Sequence, residues 1–311
     1  MLRFLGRRVL ATVPALLGVY TLVFFVLHVL PSDPALLISE GSASESQLES
    51  LRHEYGLDRP LWRQYADELG ALLRGRLGRS IRYGEPVSRL IRSFLPATLE
   101  LALVGLGIAV VLGIALGTLA ALRPHGWIDN LSTIAALSGV SIPSFWLGLM
   151  LIFVFSLSLG WLPVTTGTSW QQLIMPAVTL GLYSTGVISR LARSSLVQTL
   201  QLEYVVTARA KGLPPHAVVL RHALRNSLIP VVTIIGVELG NLLSGTVVVE
   251  TVFARPGLGR LIVDSITYRD YPALQAALLV AACGYVLANA LVDVSYCYLD
   301  PRIRDAQASY G

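Results

Sequence analysis

Six long apolar stretches constrain the fold of this chain more than any other feature. They lie at residues 9–30, 96–122, 132–159, 172–189, 229–249 and 273–296. About 20 apolar residues in a helix cross the hydrocarbon core of a bilayer, where a helix satisfies its own backbone hydrogen bonds. The chain is 54% apolar and only 14% charged, whereas a soluble domain carries about 25% charged residues. The sequence therefore predicts an all-α polytopic membrane protein with six transmembrane helices.

The first apolar stretch, residues 9–30, follows three arginines at Arg3, Arg7 and Arg8. A cleaved signal peptide is the alternative, but its apolar region covers only about 7–15 residues. The length of the stretch therefore favours an uncleaved first span whose N-terminus lies in the cytoplasm.

The charges of the short loops predict which side of the membrane each loop occupies. Residues 190–225 hold six basic residues and one acid, the 160–171 loop is uncharged, and the 250–272 loop is balanced. Cytoplasmic loops of membrane proteins carry an excess of Lys and Arg. We therefore expect a multi-pass protein of the cytoplasmic (inner) membrane with both termini in the cytoplasm. This topology accounts for the net charge of +5, and no separate basic domain is present to bind nucleic acid.

The polar stretches divide the chain into four predicted parts. Residues 1–30 are the N-terminal segment and first helix, and residues 31–94 are a small external helical insertion. Residues 95–298 form a five-helix core, and residues 299–311 form a cytoplasmic tail. Small residues recur every fourth position in the second span, at Ala109, Gly113, Gly117 and Ala121, which predicts close packing against another helix. Pro143 is expected to kink the third span.

A basic segment, residues 203–228, interrupts the apolar C-terminal half. Its charges are those of Glu203, Arg209, Lys211, Arg221 and Arg225. The middle of the segment, residues 212–215, reads Gly-Leu-Pro-Pro. A glycine followed by two prolines ends one helix and can begin another. The 203–228 segment is thus predicted to be a helix–turn–helix that lies outside the membrane and is tethered to a span at each end.

The sequence predicts no catalytic, cofactor or metal site. A phosphate-binding loop needs a Gly-Lys pair, but the only lysine, Lys211, follows Ala210. The H-E-x-x-H and G-x-S-x-G patterns are absent, and the five histidines are scattered along the chain. This chain is therefore expected to lack that nucleotide-binding site.

Glu238, near the middle of the fifth span, is the candidate for a functional group inside the membrane. Ionisable side chains are costly there and often mark a transport path. One reading is that Glu238 lines a translocation path and meets a substrate amine. The other is that it pairs with a polar group on a neighbouring helix or subunit.

The 203–228 segment resembles the cytoplasmic loop of membrane subunits of binding-protein-dependent ABC importers. The general pattern of that loop is E-A-A, three residues, Gly, nine residues, I-x-L-P. Ala208, Gly212 and Leu224 match it, whereas its acid, isoleucine and proline are missing here. Glu203 is a candidate substitute for the missing acid. The departures are typical of the dipeptide/oligopeptide/nickel permease group, where A-R-A-K-G and H-A-L-R-N are usual.

The resemblance covers essentially the whole chain and is closest to the B-type dipeptide permease subunits. Segments similar to those of the family follow one another in family order: LPSDP at residues 30–34, LDRPLWRQY, LGRSI, FLPATLELA, SIPSFWLG, LGWLP, VVVETVFARPGLGRL, RDYP and DPRIR. Each motif alone is weakly specific, but their order along one chain is highly specific.

The resemblance implies a type I ABC importer permease fold and a role in the ATP-driven uptake of short peptides, that is, dipeptides and oligopeptides. It implies four kinds of partner: a homologous second permease, two cytoplasmic ABC ATPase subunits that use ATP-Mg, an extracytoplasmic solute-binding protein received in part by residues 31–94, and membrane lipids. It also implies that the 203–228 segment docks on the ATPase. The residues implicated are Glu203, Ala208, Arg209, Lys211, Gly212, Arg221, Leu224 and Arg225.

Several alternatives stay open at this point. The basic residues of the 203–228 segment could instead attract lipid headgroups. The substrate could be nickel, another metal chelate or glutathione. From other classes, a stand-alone secondary transporter or channel, or a membrane enzyme, is disfavoured by the lack of charge chains in the spans and of a reactive constellation.

Overall fold

The computed structural model describes residues 2–29, 44–54, 58–124, 126–164 and 170–299, with side chains for most of residues 12–290. Regular structure in these ranges is helical, apart from one isolated bridge between Arg79 and Pro86. The N-terminal helices are α1 (Leu2–Val29), α2 (Glu45–Glu54), α3 (Leu61–Leu73), α4 (Val87–Leu122) and α5 (Trp127–Ser141). Next come α6 (Ser144–Leu151) with the π-helical Ile152–Ser158, α7 (Gln171–Thr199), α8 (Glu203–Ala210) and α9 (Pro215–Ala217). The last are the π-helical Val218–Ala223, α10 (Leu224–Ser227), α11 (Ile229–Val252), α12 (Leu258–Thr267) and α13 (Tyr271–Leu299).

The predicted spans all fall on helices, and the fold is all-α as expected. Four helices, α4, α7, α11 and α13, are long and apolar enough to cross a membrane. Two shorter apolar helical stretches, Thr12–Leu27 and Ser144–Ser158, coincide with the predicted first span and with the second half of the predicted third. The LPSDP motif at residues 30–34 and the tail beyond residue 299 lie outside the described residues, so the predicted domain boundaries stay predictions.

The third span departs from its prediction as one helix over residues 132–159 with a kink at Pro143. The helix breaks completely, because α5 ends at Ser141 and Pro143 has an extended backbone (ψ 134°) ahead of α6. Proline lacks an N–H and also disfavours a helical conformation at the preceding residue, here Ile142. The kink prediction was therefore wrong, and residues 127–158 form two successive helices.

Two other helices are longer than the sequence predicted. Helix α4 begins at Val87 and runs through Pro96, where the span was expected to open. Helix α7 extends to Thr199, ten residues past the predicted end at 189. Arginines at 190 and 193 mark the edge of the apolar stretch, but a charged residue does not end a helix that continues in water.

The chain separates into two compact units, each with its own apolar core. The first comprises residues 1–97 and 256–283, so it contains α1 to α3, α12 and the beginnings of α4 and α13. Its core is formed by buried residues of α1, α4, α12 and α13: Leu27, Val87, Leu90, Ile91, Leu258, Leu261, Ile262, Ala273, Leu274, Ala276 and Ala277.

The second unit comprises residues 98–255 and 284–311 and is built around α7. Small residues bring α4 against α7, as the four-residue spacing predicted. A Cβ atom added to Gly113 would lie 2.7 Å from a side-chain carbon of Ile188, and one added to Gly117 would lie 2.5 Å from the carbonyl oxygen of Ser189. No larger side chain fits at either position, so the predicted close approach of the helices is confirmed.

Candidate functional site

The 203–228 segment forms the helix–turn–helix that its sequence predicted. Helix α8 ends at Ala210, and Gly212 turns the chain with φ +77°, a left-handed conformation that favours glycine. The following Pro214 has an extended backbone, and Pro215 opens α9. The chain then continues through the π-helical Val218–Ala223 into α10 and directly on to α11. Both ends of the segment are therefore attached to long apolar helices.

An apolar cluster holds the 203–228 segment against α4 and α7. Residues of α4, α7 and the segment meet in it: Ala121, Leu196, Val205, Ala208, Val218 and Ala223. Leu224 packs against the same cluster and is partly buried. Ala208, one of the residues that match the family pattern, is only 7% exposed.

Two hydrogen bonds link the parts of the segment to one another and to the end of α7. Asn226 donates an amide N–H to the Tyr204 hydroxyl over 2.8 Å, which ties α10 to α8. Ser195 on α7 donates its hydroxyl to the carbonyl oxygen of Ser227 over 2.8 Å. The segment is therefore hydrogen-bonded to the end of α7 and continuous in the chain with α11.

The exposed face of the 203–228 segment combines positive charge with apolar surface. Its four basic residues, Arg209, Lys211, Arg221 and Arg225, are all exposed, and the described residues offer none of them an acidic partner. Large apolar side chains are exposed beside them, namely Leu202, Val206, Leu213 and Leu220. Exposed apolar surface bordered by polar and basic side chains is typical of a protein interface.

Glu203 lies in the first turn of α8, where a carboxylate interacts favourably with the positive end of the helix dipole. Its side chain is exposed, and its backbone carbonyl accepts a hydrogen bond from the Thr207 hydroxyl over 2.9 Å. This position suits a helix-starting acid. Its equivalence to the missing acid of the family pattern stays a prediction.

Glu238 lies on α11, outside the 203–228 segment, and its side chain is buried against α7. It is 3% exposed and accepts hydrogen bonds from the Ser184 hydroxyl on α7 and, over 3.3 Å, from the Asn241 side-chain amide. It has no cationic partner in the described part of the chain. Its predicted place on a translocation path stays a prediction, and in this conformation the side chain faces another helix of its own subunit.

Sequence reasoning missed two further polar contacts of the second unit. Arg193 of α7 forms a bidentate ion pair with the buried Asp129 of α5. Thr98 of α4 donates its hydroxyl to the buried carboxyl of Glu250 on α11 over 2.6 Å. The partners lie 64 and 152 residues apart, so no local pattern could have paired them. Among the described residues, no group of three His, Cys, Asp or Glu side chains is placed to hold a metal ion.

Comparison with known families matches two adjoining profiles to this chain. Residues 113–305 match the family described as "Binding-protein-dependent transport system inner membrane component". Residues 1–102 match the N-terminal region of the same membrane components. Together the two profiles cover nearly the whole sequence, and the first includes the entire 203–228 segment.

Curated relatives and solved structures agree with this match. The chain is 44% identical over 304 residues to the glutathione transport system permease protein GsiC of Escherichia coli K12, covering 98% of this chain and 99% of that protein. The corresponding protein of Pectobacterium atrosepticum is 43% identical with the same coverage. The inward-facing MetNI methionine ABC transporter has a chain that is 20% identical, with a TM-score of 0.57 over 68% of this chain and 97% of that one. An amino acid ABC transporter has a chain that is 17% identical, with a TM-score of 0.54 over 67% and 92%.

Proposed function

Because this chain belongs to the family of inner membrane components of binding-protein-dependent transport systems and is a permease subunit of an ABC importer, we propose that it passes short peptides, tripeptides of the glutathione type among them. The observation that carries this proposal is the 44% identity to glutathione permeases across 98% of the chain. Glutathione is one of the alternative substrates that the sequence left open, and because it is itself a tripeptide, a proposal of short-peptide transport includes it. The family sets aside the alternatives of a stand-alone transporter, a channel and a membrane enzyme.

The chain is a multi-pass protein of the inner membrane and is not itself the catalytic subunit, since permeases of this family work with ATPase subunits. The full assembly that we propose has this chain, a homologous permease, two cytoplasmic ATPases and an extracytoplasmic solute-binding protein. ATP-Mg binds to the ATPases, and this chain holds neither a nucleotide nor another cofactor. Both of its termini and the 203–228 segment face the cytoplasm.

The 203–228 segment is the proposed docking site for the ATPase. The anchored side of the segment, centred on Ala208 and Val205, keeps it rigid, while the opposite side offers basic and apolar groups to a partner. The alternative, attraction of the four basic residues to lipid headgroups, does not use the exposed turn at Gly212. Docking therefore accounts for more of the segment than lipid attraction does.

The experiment is reconstitution of this chain with the proteins encoded beside it as its second permease, ATPases and binding protein, followed by uptake of labelled glutathione and of a tripeptide with ordinary peptide bonds. Uptake is expected to require both ATP hydrolysis and the binding protein. Uptake by this chain alone, driven by an ion gradient, would contradict the importer assignment. If neither peptide is taken up with ATP hydrolysis, the proposed substrate class is contradicted, but the importer assignment is not.

Gly212→Asp tests the docking site in the same assay. We expect coupled uptake to fall about tenfold or more, because a docking residue in the left-handed conformation loses both its turn and its close approach to the ATPase. Gly160→Asp is the matched control, since Gly160 also has a positive φ (+65°) and open space around it but lies outside the 203–228 segment. Equal uptake by both variants would count against docking at residue 212.

A further inference from the structure

A cavity of about 540 Å³ lies within the first unit. Four parts of that unit form its walls: α1, α3, residues 76–84 and the beginning of α13. Sites for small molecules have volumes of about 300–1,000 Å³, so this cavity has the size of a ligand site.

The lining residues of α1 and α13 give the position of the cavity relative to the ends of these helices. On α1 the lining residue is Tyr20, nine residues before the helix ends at Val29. On α13 the lining residues include Gln275 and Leu279, four and eight residues after the helix begins at Tyr271. Tyr271 and Pro272, the first residues of α13, also line the cavity, so at about 1.5 Å per residue it extends from the helix end to roughly 14 Å below it. That range includes the level of lipid headgroups and the upper part of the acyl chains.

The wall chemistry combines opposite charges with apolar surface. Glu68 of α3 contributes a carboxylate, which accepts the Tyr20 hydroxyl over 3.3 Å. Arg76 contributes a guanidinium that forms no hydrogen bond or ion pair with the described residues. The neighbouring Arg79 is already used, because it donates to the Gly84 carbonyl over 2.7 Å. Apolar wall is supplied by Leu72, Leu77, Ala276 and Leu279.

Helix α3 also has the surface of a helix that lies in a membrane interface. One side packs on α1, where Tyr65 contacts the ring of Phe24 and shares a hydrogen bond of 2.8 Å with the Thr21 hydroxyl. On the rest of the helix, Trp62 is 65% exposed and Leu73 is 79% exposed. Tryptophan is enriched at the level of the headgroups, and large exposed apolar side chains are costly in water.

We propose that this cavity binds a zwitterionic phospholipid of the outer leaflet. The lipid ammonium meets Glu68, the phosphate meets Arg76, and an acyl chain lies along Ala276 and Leu279. A primary ammonium can donate hydrogen bonds to the carboxylate, so phosphatidylethanolamine fits better than phosphatidylcholine, whose nitrogen carries three methyl groups. The site rests on the proposed orientation, which places the end of α1 at the outer face, and not on the identity of the transported substrate.

A free zwitterionic peptide carries the same pair of charges, but it lacks the chains that would fill the apolar walls at this depth. Native mass spectrometry of the assembled transporter, purified with added phosphatidylethanolamine or phosphatidylcholine, separates the two sources. We expect phosphatidylethanolamine to be retained and an excess of trialanine to leave it in place. Displacement of the lipid by trialanine would overturn the assignment.

Arg76→Gln tests the phosphate contact, and Arg74→Gln is its matched control because Arg74 is an exposed arginine outside the cavity. Loss of one charge-assisted hydrogen bond should reduce phosphatidylethanolamine retention about tenfold in Arg76→Gln and leave it unchanged in Arg74→Gln. Equal retention by the two variants would refute the site.

Thermal unfolding in nanodiscs tests the site even if Arg76→Gln lowers the stability of the protein. The wild-type protein should have a higher Tm in phosphatidylethanolamine than in phosphatidylcholine, and Arg76→Gln should lose that difference. A difference that persists in Arg76→Gln would refute the site as well.

Discussion

Two buried carboxyl groups, Asp270 in the first unit and Glu238 in the second, show how the surroundings determine the partners of a polar side chain. The described residues offer no cation to either of them. Asp270 accepts hydrogen bonds from the Ser80 hydroxyl and from three backbone N–H groups, those of Ile81, Arg82 and Ala273, over 3.1, 3.2 and 3.3 Å. Glu238 accepts hydrogen bonds from two side chains, of Ser184 and Asn241.

The difference follows from the backbone around each carboxyl group. Asp270 lies where a loop meets the start of α13, and the first N–H groups of a helix have no partner within the helix. Its carboxylate caps α13 and at the same time fixes residues 80–82 to that helix. Glu238 lies between two long helices whose backbone N–H groups already bond to carbonyl groups in the same helix. Only side chains can donate hydrogen bonds to the Glu238 carboxyl group, so it has fewer donors, and other side chains can replace them.

The largest effect is therefore expected for Asp270→Ala. The change leaves a buried hydroxyl and three N–H groups without their acceptor, and each unsatisfied buried group costs about 1–3 kcal/mol. We expect destabilisation of about 3 kcal/mol or more, with faster hydrogen exchange at residues 80–83 and at the start of α13. Asp264→Ala is the control, because Asp264 forms only a partly exposed ion pair of 3.7 Å with Arg260 and should cost less than about 0.5 kcal/mol. Similar exchange in both variants would show that the four contacts do not hold the loop.

An intermediate effect is expected at Glu238, where the two readings of its function give different results. Glu238→Ala removes the hydrogen bond between Ser184 on α7 and Glu238 on α11 and should destabilise the protein by about 1–3 kcal/mol. Glu238→Gln keeps an oxygen that accepts the Ser184 hydroxyl, and we expect nearly normal stability and an unchanged KM for peptide uptake. A large increase in KM for Glu238→Gln, with normal stability, would instead place the carboxylate on the translocation path.

Much of the fold could be predicted because its signals are local. The length of an apolar stretch predicts a span, and the glycine and prolines at 212–215 predict the break in the 203–228 segment. The close approach of α4 and α7 follows from glycines at helical spacing, since Gly113 and Gly117 have no side chain to separate the helices. In each case the cause of the structure lies within a few residues.

The polar contacts could not be predicted, since their partners are distant in sequence. Ser80 and Asp270 lie 190 residues apart, and Ser184 and Glu238 lie 54 apart. The break at Pro143 was misjudged because a proline in an apolar stretch is compatible with either a kink or a separation of two helices. For the 203–228 segment, the sequence predicts which residues belong to the helix–turn–helix. The packing determines that Ala208 is buried while Arg209 is exposed.

The smallest effect is expected for Ser184→Ala, which removes one of the two donors to Glu238. Double-mutant cycles for hydrogen bonds between membrane helices average about 0.6 kcal/mol, because the remaining polar groups find other partners. Asn241 remains within reach of the carboxyl group, so a destabilisation of that size is expected. A cycle that combines Ser184→Ala with Glu238→Ala measures the coupling. A coupling above about 3 kcal/mol would mean that Glu238 depends on one fixed partner, as Asp270 depends on its loop, and the contrast between the two carboxyl groups would then disappear.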